Sequence, residues 1–245
     1  MKKIISVAVV LLATTILTFG QNDYKMLELV YLKPYQGVDM EAASKAIAEH
    51  NKKYHAEDPY KSSVWSNLTG SMAGTICWAM YPATFTDYDN RKNMDAHDKD
   101  WDKAVTPYFE MILNEYWRVD EKISYEPEGF DNGEKVVFTV YDIKPGEGYR
   151  FKEILKKVSE VYNEKKYPYN FTVYWNQFDN KHGRDVAIEV MFDKFAFLDE
   201  DHAMKKDYEE VHGEGSWWKL IEEYQDVVIS ADDELSVRLA DMSID

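Results

Sequence analysis

Two residues in this chain carry side chains whose settings suggest acid or base chemistry. Glu189 lies in the run Asp185 to Phe192, between Ile188 and Val190, where a strand covered on both faces is expected. A carboxylate in such a place is either paired or has its pKa raised, and a raised pKa makes a carboxyl group an acid or base near neutrality. The alternatives are a wet edge, or an ion pair with Arg184 or a lysine. His97 lies in His97-Asp98-Lys99-Asp100-Trp101. Imidazole is the natural general base near neutral pH, while the other reading is an exposed residue of an acidic loop. Asp95, His97, Asp98, Asp100 and Asp102 superficially resemble metal ligands, but acidic residues at these spacings cannot all point inward, so no metal is expected. Nucleophile elbow, phosphate loop and dinucleotide fingerprint are all missing from the sequence, which removes hydrolase, kinase and Rossmann chemistry.

The elements that would position these residues occur twice. Leu27 to Gly37 reads LELVYLKPYQG and Val136 to Gly148 reads VVFTVYDIKPGEG, each an apolar strand ended by Lys-Pro and a glycine. Val30-Tyr31 matches Val140-Tyr141, VWSN at Val64 matches VYWN at Val173, and Gly74 matches Gly183. Met80-Tyr81 matches Met191-Phe192, and LNEY at Leu113 matches IEEY at Ile221, all at offsets of 108 to 111 residues. This predicts an internal duplication of a β-α-β-β-α-β unit. In the first copy, Asp39 caps a helix with Met40, Ala43, Ile47 and Tyr54 on one face. Strands at Ser62 to Leu68 and Thr75 to Tyr81 follow. A long stretch from Phe85 to Trp117 then ends in a helical stripe of Tyr108, Ile112, Leu113, Tyr116 and Trp117, and Ile123 to Tyr125 is the last strand. In the second copy, Phe151 to Tyr162 and Trp217 to Tyr224 are the helices, and Leu235 to Leu239 closes the sheet. The expected division is a signal peptide over residues 1–20, repeats over 21–126 and 135–245, and a linker over 127–134 rich in Pro, Gly and acidic residues.

The apolar run Ile4 to Phe19 behind Lys2 and Lys3 is shorter than a spanning helix and reads as a cleavable secretory signal, with no cysteine for lipid attachment after it. The expected location is the periplasm or the exterior. With Lys2 and Lys3 removed, the formal net charge is about −18, which disfavours nucleic acid and anionic membranes as partners. Cys77 is the single cysteine, so no internal disulfide can form. The hydrophobic content of 45% is high for so charged a chain and suits two sheets pressed together as well as sheets covered by helices. A monomer is expected, because the two copies can cover each other's bare sheet face.

The order of elements, the repeat of about 110 residues and a helix entered through a His-containing acidic loop resemble the dimeric α+β barrel superfamily, in tandem form. That group includes stress-responsive Dabb proteins, antibiotic-biosynthesis-type monooxygenases, EthD-like and NIPSNAP-like proteins, and haem enzymes related to chlorite dismutase. The resemblance implies an α+β fold of two ferredoxin-like repeats whose sheets pack as one intramolecular barrel. It also implies a small hydrophobic or aromatic ligand between a sheet and its helices, held by Tyr31, Trp65, Asn67 and Trp78 with His97 as base. Tyr141, Tyr174, Asn176 and Glu189 are the second-copy counterparts. The usual His-Pro-x-His form is absent, which counts against a cyclase. A cofactor-free oxygenase-like or isomerase-like activity, haem held by His97, His202 or His212, and a non-catalytic interaction module are the functions left open.

Overall fold

A computed structural model describes residues 24–130 and 133–244. The expected signal peptide lies outside the described residues. Among the described residues no helix is long and apolar enough to cross a membrane.

Eight strands form one closed antiparallel barrel in the order β1-β3-β2-β8-β5-β7-β6-β4. They are β1 (Met26–Pro34), β2 (Ser62–Asn67), β3 (Ile76–Ala83), β4 (Phe109–Val119), β5 (Lys135–Ile143), β6 (Thr172–Asn176), β7 (Val186–Phe192) and β8 (Val228–Arg238). The first four and the last four strands each form a contiguous arc with the same relative order. The arcs join where β2 meets β8 and where β4 meets β6. Closure removes the exposed sheet edges that would otherwise invite pairing with another chain.

Helices cover the outside of both arcs. The first carries α1 (Met40–Tyr54), α2 (Phe85–Asn90) and α3 (Met94–Ala104); the second carries α4 (Gly148–Lys165), α5 (Met204–His212) and α6 (Ser216–Val227). Asp39 caps α1 by accepting from the N–H groups of Glu41 and Ala42, and Ala43 and Ile47 are buried below it. Strand alternation then divides the apolar residues into three cores. Val30, Leu32, Trp78 and Met80 face α1 and α3; Ile143, Val173 and Val186 face α4 and α6. Leu27, Leu29, Tyr31, Trp117, Phe138 and Tyr174 face the barrel interior. Each fully buried aliphatic side chain contributes about 1.5–3 kcal/mol, so all three layers stabilise the closed form.

The structure departs from the expected boundaries in three places. Phe109–Val119 is a strand, not a helix, and Ile123 to Tyr125 reduces to a single bridge between Tyr125 and Phe171. The LNEY and IEEY echo therefore pairs a strand with a helix. β8 begins at Val228, before the expected closing strand. The helical stripe expected near Trp117 is instead a strand alternation, with Leu113, Glu115, Trp117 and Val119 turned inward.

Candidate functional site

The barrel is hollow along part of its axis. A cavity of about 890 Å³ is lined from both arcs, by Leu29, Trp65 and Ala79 on one side and Phe138, Tyr174 and Glu189 on the other. That volume lies within the range of small-molecule pockets. The exposed residues Lys25, Glu121 and Glu126 also line it, marking where it meets solvent.

A buried polar network borders this cavity through Tyr31 and Glu234, which belong to both. Arg184 donates through Nε to both oxygens of Glu115, at 2.9 and 3.0 Å, and through Nη1 to Glu234. Arg184 Nη2 donates to the Tyr31 hydroxyl at 2.9 Å, and that hydroxyl donates to Glu234 Oε2 at 2.9 Å. Glu115 and Tyr31 come from the first arc, Arg184 and Glu234 from the second, so the network ties the halves through the interior. Burial raises the Glu115 pKa more than Arg184 lowers it. Two carboxylates around one guanidinium thus form a fully buried cluster whose members depend on one another.

Glu189 takes no part in that network. It points from β7 into the cavity, where Tyr174 donates its hydroxyl to Oε2 and Asn170 donates its amide to Oε1, both at 3.2 Å. Asn170 is oriented in turn, because its Oδ1 accepts the Met191 N–H at 2.7 Å. Removal from bulk water raises Glu189 from 4.5 to about 7, against the opposing effect of these donors. The side chain keeps partial exposure because the cavity reaches it. Tyr174 is pushed well above the usual phenol range by the same burial, so it remains a donor. A carboxyl group that titrates near neutrality beside a cavity can both give and accept a proton.

The remaining expected residues divide between two faces of the sheet. Tyr31, Trp65, Asn67 and Tyr174 line the cavity with Glu189. Asn176 lies beyond it, donating to Glu115 and to the Arg184 carbonyl. Trp78 faces the helices, where its indole donates to Asn51 Oδ1 at 2.9 Å, and Tyr141 packs on Phe151 and Tyr224. Tyr31 and Tyr141 therefore point to opposite sides of their strands although they match in sequence. Trp78 and Glu189 do the same, since a shift of one residue reverses a strand's faces. His97 is in the first turn of α3, not in a loop, and is half-buried. The expected pocket between sheet and helices, joining Trp65 and Asn67 to Trp78 and His97, is not formed, because the sheet separates the two pairs.

His97 instead joins two histidines that the sequence reading passed over. His50 on α1 and His55 just beyond it are buried, with ring centroids 4.7 and 5.2 Å from that of His97. His50 falls three residues after Ile47 and seven after Ala43, on the buried stripe of α1, and a polar residue on an apolar stripe was the available signal.

The residues present do not fit haem. Among the described residues no histidine lines the barrel cavity. His202 bonds the Phe197 carbonyl, His212 bonds the Lys157 carbonyl, and His97 is turned to His55. Between the second arc and its helices the space is filled by Phe151, Tyr162, Tyr208 and Leu220.

No family model matches the chain, and no curated protein matches it. Solved structures do. A protein provisionally assigned as a monooxygenase from Fusobacterium nucleatum superimposes with a TM-score of 0.54 at 15% identity, covering 88% of this chain and 93% of its own. An anthrone oxidase-like protein gives 0.55 at 12% identity, covering 89% and 92%. A chlorite dismutase from Candidatus Nitrospira defluvii gives 0.51 at 8% identity, covering 89% and 92%. At these identities the likeness is one of fold, and the chain shares with all three a mixed α+β architecture.

Proposed function

We propose that the protein binds a small, largely apolar or aromatic molecule inside the barrel and that Glu189 exchanges a proton with it. The observation that carries this reading is the joint presence of a cavity of about 890 Å³ and a carboxyl group raised to about 7 that faces it. Trp65, Phe138 and Leu29 supply apolar and aromatic walls, while Tyr174 and Asn170 orient the carboxyl group. Proton transfer at a ligand carbon or hydroxyl, as in an isomerase-like or cofactor-free oxygenase-like reaction, is the chemistry this set supports. The oxygenase and dismutase assignments of the structural neighbours are compatible with small-molecule binding and add no residue to it. The same reading includes an origin by duplication of one β-α-β-β-α-β unit and export through the segment before Gln21. An interaction module with no ligand is the competing reading, and the volume of the cavity weighs against it.

The direct test is fluorescence titration with 2-naphthol, a planar molecule with one acidic hydroxyl, on the mature chain. Saturable binding is expected, and it should be lost in Ala79→Trp, which places an indole into the cavity from β3. Binding that persists unchanged in a folded Ala79→Trp variant contradicts the reading.

A further inference from the structure

Between α1, α3 and the outer face of β3, three of the chain's six histidines converge. One ring nitrogen from each of His50, His55 and His97 lies within 4.8 Å of the others. The hydrogen bonds show which nitrogen of each ring is already engaged. His50 Nδ1 meets Asp100 Oδ2 at 2.9 Å, His55 Nδ1 meets the Tyr60 carbonyl at 2.8 Å, and His97 Nδ1 meets Asp98 Oδ1 at 2.8 Å. A carboxylate and a carbonyl only accept, so all three Nδ1 atoms carry the hydrogen. In the neutral rings each Nε2 then presents a lone pair.

Those lone pairs are poorly served by the protein. His50 Nε2 is buried and has no hydrogen-bond partner. His55 Nε2 and His97 Nε2 face each other at 3.2 Å, a contact with no hydrogen to share between two Nδ1–H tautomers. One donor is at hand: Arg91 Nη2 lies 3.1 Å from His55 Nε2 and 3.3 Å from His55 Nδ1. Arg91 also donates to the Tyr54 carbonyl at 3.4 Å and rests over the Tyr60 ring.

We infer that His50, His55 and His97 form a binding site for one divalent transition cation of the Zn²⁺ class, coordinated through their three Nε2 atoms. Tetrahedral Zn²⁺ with bonds of about 2.0–2.1 Å places neighbouring ligand nitrogens about 3.3 Å apart, and the His55 to His97 pair is already at 3.2 Å. His50 completes the triad, with a ring nitrogen within 4.8 Å of the other two. The outer partners follow the pattern of histidine metal sites, in which the other ring nitrogen donates to a carboxylate or carbonyl. Trp78 and Trp101 wall the site, their rings edge-on to His55 and His50 at 4.8 and 5.0 Å. His97 is the least buried of the three, so the fourth position opens on its side to water or an exogenous ligand. Arg91 stands where its charge opposes the cation, and binding displaces it from His55. The acidic run around His97 contributes Asp98 and Asp100 as hydrogen-bond acceptors, which is why counting carboxylates as ligands pointed away from a metal.

The test uses the mature chain, stripped with chelator and dialysed, titrated with Zn²⁺ against a chromophoric chelator and separately with Co²⁺. One Zn²⁺ per chain and the intense visible absorption of tetrahedral Co²⁺ are expected. His97→Ala, at the least buried ligand, should weaken Zn²⁺ binding at least tenfold and abolish the Co²⁺ bands. Asp100→Asn should weaken it by about 10- to 100-fold through loss of the outer partner. Arg91→Gln, which alters no ligand and removes the opposing charge, should tighten it. His202→Ala should change nothing. Absence of stoichiometric binding by the wild-type chain overturns the inference. So does binding that survives unchanged in a His97→Ala variant with a native circular dichroism spectrum.

Discussion

Replacing Glu189 with Gln should abolish a specific pH dependence of stability. In the folded chain burial raises this carboxyl group from 4.5 to about 7, whereas in the unfolded chain it titrates at its ordinary value. Between those values the folded state holds a proton that the unfolded state releases, so stability falls as pH rises through this window. The contribution is fully present below about pH 4.5 and lost above about pH 7. A shift of this size corresponds to about 3 kcal/mol, and water in the cavity reduces it towards about 2 kcal/mol. Urea unfolding of both proteins at half-unit steps from pH 5 to pH 8 isolates the effect. The wild-type curve should descend relative to the variant by about 2–3 kcal/mol. The Gln amide meets the donors Tyr174 and Asn170 at every pH, so its own packing cost is a constant offset. Parallel curves would refute the claim that its place in the barrel raises the Glu189 carboxyl group into the neutral range.

Two further outcomes follow from the barrel. Arg184→Met leaves Glu115 and Glu234 buried without their cation and should destabilise the chain by about 3–5 kcal/mol in urea unfolding. Combining it with Glu115→Gln and Glu234→Gln should recover most of that loss. Expressed separately by division within residues 127–134, the two arcs should each aggregate or self-associate, and mixed they should reassemble into one heterodimer by size-exclusion chromatography. Two monomeric, well-behaved halves would contradict the shared interior core.

The sequence made some parts of this molecule readable and hid others for identifiable reasons. β1 and β5 are apolar on both alternations because one face meets helices and the other meets the barrel interior, a pattern that survives any error in which face is which. The face itself did not survive. Val140, not Tyr141, points inward, and pairing residues by similar letters placed Tyr141 one position from the interior. β4 was hidden because Tyr108, Ile112, Leu113 and Tyr116 fit helical spacing as well as they fit a strand exposed along much of one face. The true helix before it, α3, has no buried residue. The cavity depends on closing eight strands from two arcs, which no local pattern encodes, although Glu189 was conspicuous as a carboxylate amid Ile188 and Val190. The histidine cluster joins positions 50, 55 and 97 across two helices. Its members are separated by spacings that match no linear motif, so only the packing of α1 against α3 brings them together.

The central claim is that the barrel interior, and not the layer between sheet and helices, is the ligand site. A crystal structure of the chain from residue 21 onward grown with 2-naphthol tests it most directly. The account predicts density for the ring between Trp65 and Phe138 with its hydroxyl at the Glu189 carboxyl group. Density against Trp78 and Trp101 outside the barrel, with the interior left to solvent, would contradict it.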